Sequence, residues 1–527
     1  MRILNTADYV SEEDLNTLSS ADRESMYNGL DCAVTLELLF ILDKELDEMT
    51  REIYQRSLDL RAPIMEMSMR GILVDQSRRR SIIARFTVKR DRLREQFNTI
   101  LKEGLGIELS WRSPDQMKKL FYEVLGLKPI RKKNNKGQFV PTVDRSALER
   151  LQVHFWAQPL ILHLLALRDI QKKIDFLNTG IDPDGRMRAT FNIAGTNTGR
   201  LASSESEFGT GTNQQNIDRS LRSVFIPDRG YKFINIDLEQ GDSRNLGATC
   251  WDTFYDEHGA TFAGSYLDAC ESGDLHTMVA KMTWQDLAWP AEGSPAKAFK
   301  EVAKQIYYRQ DSYRQMAKKL GHGTNFCGQP PTMASHTKVP VNIIADFQNR
   351  YFEAFPCIPA YHAWVREQIR EYSFLVTLHK RRRYFFGRAE DPKTINEAVA
   401  FSPQSMTADA VNKGMIQLWR AIRVEERKEF RDLHILCQVH DSLLLQAPVE
   451  IADDIVPAIL EVTRVPLRLR GDREFCVPND AKVGFNWGDV PEDEVKPEDR
   501  NDLGLLAWSP NGDKRSPVRK PLTLIGH

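Results

Sequence analysis

The chain is short of the features that would assign its class at once. Seven cysteines are scattered through 527 residues, and none stands in a Cys-x-x-Cys or Cys/His ligand spacing. That excludes a disulfide scaffold or a zinc module and fits a reduced intracellular protein. No uninterrupted apolar run approaches about 18 residues, and the N-terminus has no basic-then-apolar segment. Neither a membrane span nor a secretory leader is expected, and the chain reads as cytoplasmic. No internal repeat is present, and neither sign of charge dominates: 72 Lys+Arg against 73 Asp+Glu leave a formal charge of -1. Neutrality does not exclude a nucleic-acid partner, which needs only a local basic stripe. What is present is ordinary globular usage, 41% hydrophobic and 28% charged, which excludes a disordered or collagen-like chain. The length suggests about three domains.

The apolar run Ala33–Phe40 is spaced for a helix, and residues 58–97 are strongly helical apart from Gly71-Ile72-Leu73-Val74-Asp75, a short β-like run. A new helix is predicted just after it, with Ser77 as its N-cap. That helix carries eight Arg or Lys residues between Arg78 and Arg94 against the single acid Asp91. Either this is a solvated face or it meets an anionic surface such as a phosphate backbone, which would relieve the i,i+4 repulsion. From 186 to 237 the composition shifts toward Thr, Asn, Gly, Ser and Arg. Tyr231–Asp237 and His434–Val439 then alternate like strands. Beyond 490 the chain is Pro-rich and charged, and a flexible tail is expected.

Asp237 and Asp441 each end an apolar strand. Alone, each reads more readily as a turn or cap residue than as a ligand. Brought together, they would repel unless a divalent cation lay between them, and hard oxygen ligands of this kind suit Mg²⁺. Arg314, Lys318, His322 and Phe326 recur every four residues, so on a helix they share one slowly drifting face. Two cations followed by two rings could grip a triphosphate and stack on a sugar and base; a basic amphipathic helix with a buried Phe gives the same spacing.

At this point the sequence resembles the family A DNA polymerases, the group of bacterial DNA polymerase I and many phage replicative enzymes, from about Tyr27 to Gly488. Motif A is similar to Asp237-Leu238-Glu239-Gln240-Gly241-Asp242-Ser243-Arg244, motif B to Arg314–Phe326 and motif C to Val439-His440-Asp441-Ser442. Thr198-Gly199-Arg200-Leu201-Ala202-Ser203-Ser204 and Asn213-Gln214-Gln215-Asn216-Ile217 resemble two further blocks.

The resemblance implies an α+β right-hand polymerase fold with a remnant of a 3′–5′ exonuclease domain. Its expected parts are the remnant over 1–50, a thumb over 51–205, a palm over 206–262 and 376–489, fingers over 263–375, and the tail over 490–527. It implies a DNA polymerase that adds dNTPs to a primer 3′-hydroxyl by two-metal transfer on primer-template DNA. Asp237, Asp441 and the Leu238 carbonyl would hold two Mg²⁺ ions. Arg314 and Lys318 would grip the triphosphate, with Lys318 also protonating pyrophosphate and His276 near the β-phosphate; His322, Phe326 and Asp242 would complete the nucleotide pocket. Arg200, Gln404 and His440 would touch the minor groove at the primer terminus, where acceptors look alike for every correct pair. Asn216 and Arg222 match primer-template contacts. Lys380, Arg381, Arg382 and Arg383 would either hold phosphates or form a solvated loop.

The departures from the family pattern matter as well. Asp242 and Gly241 stand where a longer Glu usually walls off a ribose 2′-hydroxyl, His322 replaces Phe or Tyr, Phe326 replaces Tyr, and Ser442 replaces a common Glu. Tyr27-Asn28-Gly29-Leu30-Asp31 resembles the last exonuclease motif, and the earlier acidic motifs have no room in the 26 residues before it. No proofreading by this chain and a separate exonuclease or processivity partner are therefore expected; a phage source would place the protein in host cytoplasm. The rival readings are a single-subunit phage-type RNA polymerase, whose motif C also reads His-Asp-Ser, and an inert polymerase-derived DNA-binding subunit.

Overall fold

The structure, a computed structural model, describes residues 17–134, 136–308, 311–491 and 500–510. The chain opens with three helices, α1 (Ser20–Glu45), α2 (Glu48–Asp59) and α3 (Arg61–Arg70). None of α1 is buried. One window of it reaches a mean hydropathy of 1.3, so by length and composition it qualifies as membrane-spanning. Its apolar residues are broken by Asp31 and Glu37, which is why no long uninterrupted run announces it. The part of the expected remnant before residue 17 lies outside the described residues.

Gly71 turns the chain at φ 63° into strand β1 (Ile72–Val74), and helix α4 (Gln76–Leu105) follows. The N-cap of α4 is Asp75, whose side chain accepts from the backbone of Arg78. This corrects the expectation of Ser77, which falls inside the first turn. Helix α5 (Gln158–Leu177) packs on α4. The far end of this pair has its own core around Phe97, Leu101, Phe121, Leu148, Ile161 and Leu164, so the expected thumb carries a separate apolar cluster at its tip. Strands β2 (Arg186–Met187) and β3 (Phe225–Ile226) flank β1.

The basic helix is partly structural. Arg78 bonds Ser223 and Asn501, Arg79 bonds the carbonyls of Leu177 and Thr179, and Arg90 pairs with Asp91. Arg80, Lys89 and Arg92 remain exposed.

The central sheet is antiparallel. In chain order its strands are β4 (Tyr231–Leu238), β7 (His434–Val439), β8 (Ser442–Pro448), β9 (Asn479–Gly484) and β10 (Leu506–Ala507), and their spatial order is β7-β8-β4-β9-β10. Between β4 and β7 come α6 (Gly241–Glu271), α7 (Leu275–Thr283), α8 (Tyr313–Asn325), α9 (Val341–Ala354), α10 (Cys357–Tyr372), a hairpin of β5 (Phe374–Val376) and β6 (Arg382–Tyr384), and α11 (Pro392–Arg423). β10 corrects the flexible-tail expectation for residues 500–510. Asn501 and Asn486 exchange hydrogen bonds of 2.8 and 2.9 Å, and Leu505 is buried. The rest of the tail beyond 491 lies outside the described residues.

Helix α11 is buried through its middle, Phe401 to Asn412 almost without a break, and contains Pro403. A proline has no N–H for the carbonyl four residues back, here that of Val399. The hydroxyl of Tyr361, on α10, takes that carbonyl at 3.0 Å, so the helix continues without an orphaned acceptor.

Candidate active site

Asp237 is the penultimate residue of β4, and Asp441 lies in the two-residue turn between β7 and β8. That turn closes with His440 at φ 56°. Asp237 stands opposite Ser442 on β8 and opposite Asp480 on β9, and the N–H of Leu238 donates to the Asp441 carbonyl at 3.0 Å. The fold thus brings two carboxylates that are far apart in the sequence to adjacent strand ends. Asp237 is open to water on one side and crowded by protein on the others. That crowding, reinforced by Asp441, pushes its pKa up to about 7, while Lys482 and Lys318 pull it down.

Among the described residues no three His, Cys, Asp or Glu side chains gather as a metal cage. Two neighbouring carboxylates that resist joint ionisation do fit Mg²⁺, which binds through one or two carboxylates plus substrate phosphates. Asp480 was not singled out from the sequence, because nothing local marks it as the cross-strand partner of Asp237.

Helix α8 carries Lys318, whose charge acts on Asp237. Ser312 and Gln315 form a reciprocal capping box at its start, so the first turn is fixed. Arg314 donates twice to Asp274, both at 2.8 Å. Lys318 is exposed and has no hydrogen bond or ion pair among the described residues. The ring of His322 meets that of Phe326 edge-on at 4.6 Å, and Phe326 is the residue that ends the helix. His276 lies on α7, against α8. Burial, then Arg314 and Lys318, lower its pKa to about 4, so it is a neutral donor or acceptor at pH 7. Burial likewise lowers His322, partly opposed by Asp242. The role of Asp274 was missed although it stands two residues before His276.

Asp242, in the first turn of α6, accepts from Thr407 at 2.7 Å and from Arg200 at 3.4 Å. A Cβ on Gly241 would lie 3.0 Å from Thr407, so that glycine lets α6 approach α11. Thr198 and Gln404 line one depression of about 520 Å³, while His440 is exposed at its turn and Asn216 on a short 3₁₀ turn. Arg222 stacks on Trp487 at 4.8 Å, and burial lowers its pKa. The four basic residues of 380–383 do not form an open phosphate cradle: Lys380 pairs with Glu52, Arg381 with Asp409, Arg382 with Asp47 and Arg383 with Glu397.

Residues 79–489, well over half of the chain, match DNA polymerase family A. The chain belongs to that family. It is 26% identical over 480 residues to DNA polymerase I of Bacillus caldotenax, covering 86% of this chain and 48% of that protein. It is 25% identical over 394 residues to the thermostable DNA polymerase I of Thermus aquaticus, covering 72% and 42%. This family A chain therefore spans less than half the length of these relatives. Its fold is that of the POL domain of Pol1 from M. smegmatis, solved in complex with DNA primer-template and dNTP, with a TM-score of 0.67, 24% identity, and coverage of 87% of this chain and 74% of that one. The right-hand α+β fold expected from the motifs is the one this family A member has.

Proposed function

We propose that this family A chain is a template-directed DNA polymerase, extending a primer 3′-hydroxyl with deoxynucleoside triphosphates. The observation that carries the reading is the meeting of Asp237 and Asp441 at adjacent strand ends, with Lys318 close enough for its charge to act on Asp237. Asp237, Asp441 and the carbonyl of Leu238 would hold two Mg²⁺ ions. When bound, such ions supply an activated hydroxyl and charge neutralisation at the leaving group.

The chain's own groups do the rest. Arg314 exchanges Asp274 for phosphate oxygens, a fork-to-phosphate match. Lys318, exposed and cationic, lies against the same phosphates and hands a proton to departing pyrophosphate. Neutral His276 donates to the β-phosphate. His322 and Phe326 stack beside sugar and base, and Asp242, held by Thr407, lines the ribose. Arg200, Gln404 and His440 surround the primer terminus. Asn216 reaches the primer-template, and Arg222 braces the same wall through Trp487.

The apolar α1, none of whose residues is buried, supports docking of a second polypeptide, an exonuclease or a processivity factor, and we read the protein as cytoplasmic, host cytoplasm if phage-encoded. Primer extension with each nucleotide class supplied separately tests the reading: dNTP-dependent extension is expected, and a clear preference for rNTPs would favour the RNA-polymerase alternative.

A further inference from the structure

We infer that Arg381, pinned by the buried carboxylate of Asp409, is a positioning residue for Arg200. The inference rests on the reading of Arg200 as a primer-terminus contact. The Asp409 side chain is fully buried within α11, and a buried carboxylate persists only with charged or hydrogen-bonded partners. Arg381 supplies two of these, Nη2 to Oδ1 at 2.6 Å and Nε to Oδ2 at 3.1 Å. Arg56 brings a second guanidinium from α2 to within 3.4 Å of the same Oδ1. The two-point fork fixes both the position and the plane of the Arg381 guanidinium.

Gly199 lies directly against that plane. Its φ is +80°, and a Cβ there would lie 2.6 Å from Arg381 Cζ and 2.8 Å from Nε. An arginine tip usually swings away from such a contact, but this one is tied down by Asp409. Asn412, three residues along the same helix from Asp409, donates to the Gly199 carbonyl at 3.0 Å. The turn Thr198-Gly199-Arg200 is thus held by a guanidinium against its α-carbon and a carboxamide on its carbonyl. The next side chain, Arg200, reaches across to Asp242 at 3.4 Å. His379, beside this cluster, is kept neutral: burial, then Lys413, bring its pKa to about 3. Arg56 precedes residue 79, where the family match begins, so α2, outside that match, contributes to the same buried cluster.

A double-mutant cycle tests this, read as kcat and KM for a matched primer-template at saturating dNTP. Arg381→Lys keeps the charge for Asp409 but loses the fork. We expect a loss of about tenfold in kcat/KM, mostly through KM, with the melting temperature near that of the wild type. In an Arg200→Ala background the same substitution should cost nothing further, because the group it positions is gone. Gly199→Ala, which leaves both charges in place but pushes the Arg381 guanidinium off its seat, should behave in the same way and keeps the test open if the lysine variant folds poorly. An equal loss in both backgrounds, or no loss in either, would overturn the inference. Wild-type extension that falls in Arg200→Ala supports the underlying reading, so the two failures are told apart in one assay.

Discussion

The hydroxyl of Thr407 lies 2.7 Å from a carboxylate oxygen of Asp242 and joins the start of α6 to the middle of α11. Asn245 donates to the same hydroxyl at 3.0 Å, and the single hydroxyl proton has two acceptors, the carboxylate and, farther off at 3.0 Å, the Pro403 carbonyl. Asp242 is therefore drawn back toward α11. Asp242→Glu would extend the carboxylate by one methylene into the sugar site. The ratio of kcat/KM for dNTP over rNTP should rise by about tenfold. Asp242→Ala should lower it, and single-nucleotide insertion kinetics measure both.

The Asp274–Arg314 pair carries a pH signature. Burial pushes the Asp274 carboxyl up, but hydrogen bonds from Arg314 and Thr277 more than reverse this and bring it to about 2. A carboxyl depressed on folding adds stability that is fully present above its unfolded value of 3.8 and is lost as pH falls through about 2. The contribution is of order 2 kcal/mol. The difference in unfolding free energy between wild type and Asp274→Asn should therefore narrow as pH drops through that window, measured by denaturant titration.

Tyr361 offers a purely structural check. Tyr361→Phe leaves the buried Val399 carbonyl, already without a backbone donor because of Pro403, with no partner. A loss of about 1–3 kcal/mol is expected. The midpoint of chemical denaturation reads it, with no change in kcat for the folded fraction.

Lys318 separates proton transfer from binding. Lys318→Ala should lower kcat by about 100-fold with a smaller change in dNTP KM, whereas Arg314→Ala should act mainly on KM. Presteady-state single-nucleotide incorporation distinguishes the two.

Sequence legibility followed the range of the interaction. Asp237 and Asp441 were readable because strand alternation and the order of the motifs are local signals, and the four-residue spacing from Arg314 to Phe326 is a local signal too. The partners of the basic residues at 380–383 were not: Glu52, Asp409, Asp47 and Glu397 are distant in sequence or on another element, and only the folded chain brings them close. Asp274 was visible as a residue but not as the anion holding Arg314. Strand β10 was hidden by the polar, Pro-rich stretch before it, since its place depends on pairing Leu506 with Val483. Ser77 was preferred to Asp75 as an N-cap because both residues are good caps two positions apart, and the β-like run set the boundary ambiguously.

Primer extension by Asp237→Asn and Asp441→Asn, each compared with wild type over a Mg²⁺ titration and each checked for native melting, tests the central claim most directly. The account predicts that both folded variants lose extension by several orders of magnitude at every Mg²⁺ concentration, while primer-template binding persists. Extension by either variant within about tenfold of the wild-type rate would contradict it.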